Sequence, residues 1–338
     1  MMKKLLKKAV LAVLSASMVG VLPIHAQENT EIKGEIEFYT SQPDEDAAKL
    51  VEAYNAIYPE VTVNVFRSGT EEVISKLKAE KESGKVSADV LLLADAVTFE
   101  SLKAEDMLLE YKSKEAENIA PDFVDPDGMY TGTKVMTTGI VYNTDMVESA
   151  PKSWKDLTTD SVKDQLVMPN PLYSGAAAYN LGIFTRTADF GWEFYEGMKA
   201  MNPEVVKGNG GVMEAVAGGQ KAYGMIVDYL AIRSKADGNP VEFVYPEEGV
   251  PVITEPVAIT KDTEEAEIAQ TFVDFILSEE CQKLQAELGY APIREGVEAP
   301  EGLKSAKELS AVLSADMKEL LAGREDDKAK FDELISAQ

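Results

Sequence analysis

The chain is nearly devoid of cysteine and histidine, with one of each in 338 residues, Cys281 and His25. One cysteine excludes an internal disulfide, and without a second thiol or histidine partners it excludes a structural zinc site. Cys281 lies in the helical phrase Ile276-Leu-Ser-Glu-Glu-Cys-Gln-Lys-Leu and reads as a small buried thiol. Basic residues are scarce: 33 Lys and Arg stand against 59 Asp and Glu, a formal charge of −26. That balance argues against nucleic acid or an anionic membrane as a partner. It leaves room for a small anion, because helix ends and a few local cations dominate the field inside a cleft. No Gly-x-Gly-x-x-Gly, phosphate loop, Gly-x-Ser-x-Gly or paired histidine motif occurs. Counting acids leaves a secreted two-carboxylate hydrolase open but singles out no pair.

Long apolar runs are missing too, except at the start. Met-Met-Lys-Lys-Leu-Leu-Lys-Lys is followed by an apolar run from Ala9 to Val21 and then by Pro23-Ile24-His25-Ala26. This is the pattern of a secretory signal over residues 1–26, cut after Ala26. The run is short for a membrane span. Removal takes His25 and four lysines with it, so the formal charge moves from −26 to −30. A general base at neutral pH would then have to be a carboxylate, a lysine or a tyrosine. With 45% hydrophobic residues the rest is well supplied for folded cores. Its length suits two domains of ~100–200 residues each.

Strand and helix phrases alternate in two blocks, about 30–110 and 135–250. Glu35-Ile-Glu-Phe-Tyr-Thr alternates as a strand, Asp46 to Tyr58 has helical spacing, and Val61, Val63 and Val65 form a second strand before a helix through Leu77. Asp89 to Asp95 is a continuous apolar strand, as expected where helices cover both faces. The pattern predicts one helix over 263–289 and two more over 303–323 and 325–336. The fold class is α/β. The economical arrangement is two lobes joined by two crossing strands, near 133–139 and 251–257. Lobe 1 takes residues 27–133, lobe 2 takes 134–255, and 256–338 return to lobe 1 with the C-terminal helices.

The candidate site is a set of short polar loops at helix starts. In an α/β sheet such loops lie at the carboxyl ends of strands, where ligands bind. Helix N-termini there offer free N–H groups and positive partial charge. From the first half come Ser41, Gln42, Ser68, Gly69, Thr70 and Asp95; from the second, Ser174, Gly175, Ala176, Asn209, Asp228 and Tyr229. Together they read as an anion clamp of main-chain amides without strong cations. The same hydroxyls also read as ordinary N-caps. Asp228 reads either as a cap or as an acceptor for a ligand hydroxyl or amine. Tyr229 reads as core or as a ring for stacking. No metal or cofactor is called for.

Taken together, Phe38-Tyr-Thr-Ser-Gln-Pro, Phe66-Arg-Ser-Gly-Thr, Ala88-Asp-Val-Leu-Leu-Leu-Ala-Asp, Gly139-Ile-Val-Tyr-Asn-Thr and Phe272-Val-Asp-Phe-Ile-Leu-Ser resemble the solute-binding proteins of ABC importers. The group resembled is that of ferric-iron binders and their relatives for phosphorylated organic solutes. The resemblance implies a two-lobe, hinge-closing periplasmic-binding-protein fold of type II, export to the periplasm, a monomer, and handover to a membrane permease. Ferric binders resemble one another in an adjacent tyrosine pair after the strand that here ends at Val227. Here that place reads Asp228-Tyr229-Leu230. Relatives for sugar phosphates, vitamin B6 phosphate, thiamine phosphates or aminoethylphosphonate share the Tyr-Thr-Ser-Gln-Pro phrase, the Arg-x-Gly-Thr type of loop and an Asp at that place. By that similarity Ser41, Ser68, Gly69, Thr70, Ser174, Gly175, Ala176 and Asp228 are the binding residues. A small phosphorylated organic molecule is the expected ligand, with ferric iron as the alternative.

Overall fold

The computed structural model describes residues 31–304, 308–309 and 311–337. The expected signal segment and its cleavage point lie outside them. The chain begins with three β-α pairs: β1 (Gly34–Thr40) with α1 (Asp44–Ile57), β2 (Val61–Arg67) with α2 (Thr70–Glu82), and β3 (Val90–Leu92) with α3 (Ala96–Ala104). β4 (Leu108–Leu109) precedes the long β5 (Thr131–Asn143). β6 (Leu166–Pro169), α4 (Gly175–Arg186), α5 (Gly191–Ala200), β7 (Glu204–Val206), α6 (Asn209–Ala217), β8 (Tyr223–Val227), α7 (Asp228–Ala236) and β9 (Val241–Val244) follow. β10 (Val250–Thr260), α8 (Ala266–Leu277), α9 (Glu279–Glu287), β11 (Ala291–Pro292), β12 (Val312–Leu313) and α10 (Met317–Ser336) complete it.

The main sheet path runs β2-β1-β3-β10-β5-β8-β6-β7. β5 and β10 are its axis. They pair antiparallel through Thr131–Thr137 and Val252–Val257. β10 then continues beside β3 through Val257–Ile259, whereas β5 continues beside β8 through Thr138–Tyr142. Each strand therefore belongs to both halves. This pair carries the chain between the two halves, the arrangement of a hinge.

Each half has its own core. In the first, Phe38, Leu50, Tyr54, Val90, Phe272 and Ile276 are buried between the sheet and α1 and α8. In the second, Trp154, Phe184, Phe194 and Phe331 pack with Leu166 in a hydrophobic cluster rich in aromatic rings. Burying side chains of this size contributes about 1.5–3 kcal/mol each.

Three expectations need correction. The helix over 263–289 is two helices, because the hydroxyl of Ser278 accepts from the Cys281 N–H and starts α9 afresh. Cys281 is fully buried, and burial pushes its thiol up to about 12. The apolar strand is only Val90–Leu92; Asp95 beyond it has φ 71° and turns the chain into α3. Among the described residues the C-terminal region has one long helix, α10, where two were expected, and it does not simply return to the first half. It packs on α4 and α5 as well as α3. Arg324 reaches Asp95 and Glu71 of the first half, while Asp327 meets Arg186 of the second.

Candidate functional site

A cleft of about 460 Å³ lies between the halves. Its walls are the loops after β1, β2 and β3 on one side and after β6, β7 and β8 on the other, all at carboxyl ends of strands. Met136 and Glu255, from the two hinge strands, also line it.

Eight of the twelve sequence candidates line this cleft: Ser41, Gly69, Thr70, Ser174, Gly175, Ala176, Asn209 and Tyr229. Ser41 is not a helix cap, since Pro43 precedes α1. Its hydroxyl and that of Thr70 share the Ala94 N–H, at 3.2 and 3.3 Å. As acceptors there, both keep a hydroxyl hydrogen to donate. Ser174 caps α4 by accepting from the Ala177 N–H at 3.3 Å, and Asn209 Nδ2 donates to the same oxygen at 3.3 Å. Asn209 Oδ1 accepts from the Val227 N–H. These bonds tie three loops of the second half into one rim. Gly69 and Gly208 precede α2 and α6 with no side-chain cap, so first-turn N–H groups there keep no intrahelical partner.

The other four candidates are not among the residues that line this cleft. Gln42 is buried, and its carbonyl accepts from Arg67 Nε at 2.8 Å, which aims that guanidinium. Ser68 donates its hydroxyl to the Glu72 carboxylate. Asp95 is fully buried, caps α3 through the Thr98 N–H at 2.9 Å, and meets Arg324 at 2.9 Å. Burial raises its carboxyl above the ordinary range in spite of that arginine. Asp228 is the first residue of α7, not its cap; Oδ2 accepts from the Thr137 hydroxyl at 2.7 Å and Oδ1 from the Tyr229 N–H at 2.8 Å. Its burial pushes the carboxyl up to about 6.

Several cleft-lining residues with polar or charged side chains lay outside the sequence candidates. Arg67 and Lys207 both line the cleft, which overturns the expectation of a clamp without strong cations. Arg67 was legible as a basic residue at a strand end, next to the loop already singled out. Lys207 stands 4.5 Å from the Tyr173 ring centroid and 3.1 Å from Glu72 of the other half. Tyr173 and Glu255 also line the cleft, and nothing in their local sequence marks them.

In this structure the halves touch. The Glu71 N–H donates to the Tyr173 carbonyl at 3.3 Å. A Cβ on Gly69 would stand 2.5 Å from that carbonyl oxygen, and one on Gly175 would stand 2.7 Å from Thr70 Oγ1. A second contact joins α1 to α7. Both guanidinium nitrogens of Arg233 lie 3.2 Å from Asp46, whose carboxylate also accepts from the Tyr290 hydroxyl at 2.6 Å. Tyr290 packs on Tyr229 with ring centroids 4.3 Å apart. Burial above all, with the nearby Glu255 and Asp46 carboxylates, raises the Tyr229 phenol above its ordinary value.

Residues 86–320 match the family model described as bacterial extracellular solute-binding protein. The chain belongs to that family. A solute-binding protein is what the two hinged halves and the cleft between them describe. Among curated relatives, an uncharacterised Haemophilus influenzae protein is 29% identical over 82% of each chain. A probable ABC transporter periplasmic-binding protein of Sinorhizobium fredii is 27% identical over 70% of this chain and 68% of its own. A putative 2-aminoethylphosphonate-binding periplasmic protein of Salmonella typhimurium is 24% identical over 70% of this chain and 71% of its own. Solved solute-binding proteins share the type II fold. AfuA from Actinobacillus pleuropneumoniae, with fructose-6-phosphate bound, has a TM-score of 0.84 at 21% identity, covering 91% of this chain and 100% of its own. P5PA has 0.79 at 22%, covering 90% and 99%. Iron-bound HitA from Pseudomonas aeruginosa has 0.77 at 21%, covering 88% and 99%.

Proposed function

We propose that this protein is the extracytoplasmic receptor of an ABC importer, and that it captures a small organic phosphate ester or phosphonate between its halves. It performs no chemistry on the solute. The closed, loaded form docks on a membrane permease and releases its cargo there.

The observation that carries this reading is the convergence of the N-termini of α2, α4 and α6 on one cleft that Arg67 and Lys207 also line. One helix comes from the first half and two from the second. Phosphoryl oxygens accept several N–H bonds at once, and the helix ends favour their charge. Arg67, held by its Nε on the Gln42 carbonyl, keeps both terminal nitrogens for a bidentate contact. An anion seated there draws the halves together, because its ligands come from both.

The named relatives support the same choice, since one is called a 2-aminoethylphosphonate binder and one structural neighbour holds a sugar phosphate. Ferric iron is the rival. It calls for phenolates, yet burial raises both Tyr229 and Tyr290, and Tyr290 already donates to Asp46. A thermal-shift screen decides between them. Phosphate esters, phosphonates, neutral sugars and ferric salt are each added to the mature protein. A true ligand at 100 times its dissociation constant adds about 2.7 kcal/mol. Stabilisation by ferric salt or a neutral sugar, with none by any phosphorylated compound, rejects the proposal.

A further inference from the structure

Three acids line the cleft, of which Asp44 and Glu214 are exposed and Glu255 is buried. Glu255 stands where the pairing of the hinge strands slips. Thr254 pairs with Val135 and Pro256 with Gly132, so Thr133 and Lys134 together face Glu255. Such an irregularity re-aims a side chain. Thr133 Oγ1 donates to the Glu255 carbonyl at 2.7 Å, which pins the slip in place. The side chain then lines the cleft while remaining only 6% exposed.

A carboxylate so enclosed is costly unless compensated. Half of the compensation is visible. Lys134, fully buried on the partner hinge strand, meets Glu255 Oε2 as an ion contact rather than an aligned hydrogen bond. Its ammonium also lies 4.6 Å from the Tyr290 ring centroid. The other oxygen, Oε1, accepts no hydrogen bond among the described residues. Asp46, the other buried acid near these tyrosines, is already satisfied by Arg233 and Tyr290. Of these two buried acids, Glu255 is the one that keeps an unused acceptor.

We infer that Glu255 reads the organic part of the solute by accepting a hydrogen bond from a hydroxyl or ammonium group that the solute carries besides its phosphoryl group. This rests on the reading of the cleft as a phosphate or phosphonate site. A carboxylate repels the phosphoryl end and attracts a donor, so it orients the solute as well as selecting it. Because Glu255 sits on a hinge strand, a donor that reaches it contacts the element that both halves share. Simple alkyl phosphonates and inorganic phosphate can fill the anion seat but leave Oε1 unsatisfied.

The test is a calorimetric affinity series on the mature protein. The probes are inorganic phosphate, ethylphosphonate, 2-aminoethylphosphonate and glycerol phosphate, each titrated into wild type and into Glu255→Gln. Removing Glu255 leaves Lys134 buried and unpaired, so the pair Lys134→Met with Glu255→Gln is the second variant. Wild type should prefer the better donor-bearing probe to ethylphosphonate by at least about tenfold, the scale of a charged hydrogen bond. That ratio should collapse toward one in the variants. An ammonium partner predicts that 2-aminoethylphosphonate carries the preference; a hydroxyl partner predicts glycerol phosphate. If wild type binds the simple anions and shows no preference, the role of Glu255 is refuted while the anion reading stands. An equal preference in wild type and a folded variant refutes it too. If no phosphorylated probe binds wild type, the anion reading itself fails and this inference goes with it.

Discussion

Arg324 Nη2 stands 2.9 Å from Asp95 Oδ2, with the guanidinium on the last helix and the carboxylate at the start of α3. The same nitrogen lies 2.7 Å from Glu71 Oε1, and Lys328 holds the other Glu71 oxygen at 2.6 Å. Burial alone would raise the Glu71 carboxyl, but Arg324 and Lys328 bring it below its ordinary value. Glu71 follows Thr70, and Asp95 follows Ala94, both of which line the cleft. The C-terminal helix therefore braces the cleft wall from behind.

Arg324→Met should destabilise the protein by about 3–5 kcal/mol, because it takes the cationic partner from fully buried Asp95 and one of two from buried Glu71. Adding Asp95→Asn and Glu71→Gln to that change should recover much of the loss. Urea unfolding of the three proteins checks both statements. A single variant as stable as wild type would mean that the brace carries no weight.

Two positions where the halves meet in this structure leave no room for a side chain. Gly69→Ala and Gly175→Ala each place a methyl group against an atom of the opposite half. Such a clash is relieved by leaving the cleft ajar rather than by unfolding. Solute affinity should drop by about 10- to 100-fold through loss of the competent closed state, while the melting temperature without ligand changes little. A large fall in that melting temperature would place the clash within a half instead.

Arg67→Ala should weaken phosphate-ester binding by about 1.5–3 kcal/mol, the range for a charged hydrogen-bond partner. Arg67→Lys should not restore it in full, because a lysine has no fork for two oxygens and cannot keep the Nε bond to Gln42. Affinities of the three proteins at two salt concentrations test this. Full rescue by lysine would reduce Arg67 to a point charge.

Asp228 gives a signed pH dependence. Its carboxyl titrates near 6 when folded against an ordinary 3.8, so the folded state holds the extra proton between those values. Stability contributed by this group is present at low pH and is lost as pH rises through 6. The ionised side chain costs about 3 kcal/mol at pH 7. Thermal unfolding from pH 4 to 8 should show wild type losing ground to Asp228→Asn as pH increases. Parallel curves would remove the buried charge from the account.

Periodicity and helix-start chemistry were enough to read two α/β blocks, the hinge strands and eight of the residues around the cleft. Alternating strands and amphipathic helices follow from which side chains avoid water, and that is local information. Ser174 and Thr70 were legible because hydroxyls at helix starts after strands fall at the carboxyl edge of the sheet, whether they cap or bind. Two kinds of information lay beyond that reach. Asp95 and Asp228 each take one partner, Arg324 and Thr137, from 229 and 91 positions away, so whether a loop acid faces solute or scaffold is decided only by tertiary packing. Glu255 points into the cleft because a hinge pair slips by one residue, and register is a property of two strands. Composition and pattern determined that this chain folds as two lobes with polar strand ends; packing across the hinge decided which of those polar groups are left free to hold a solute.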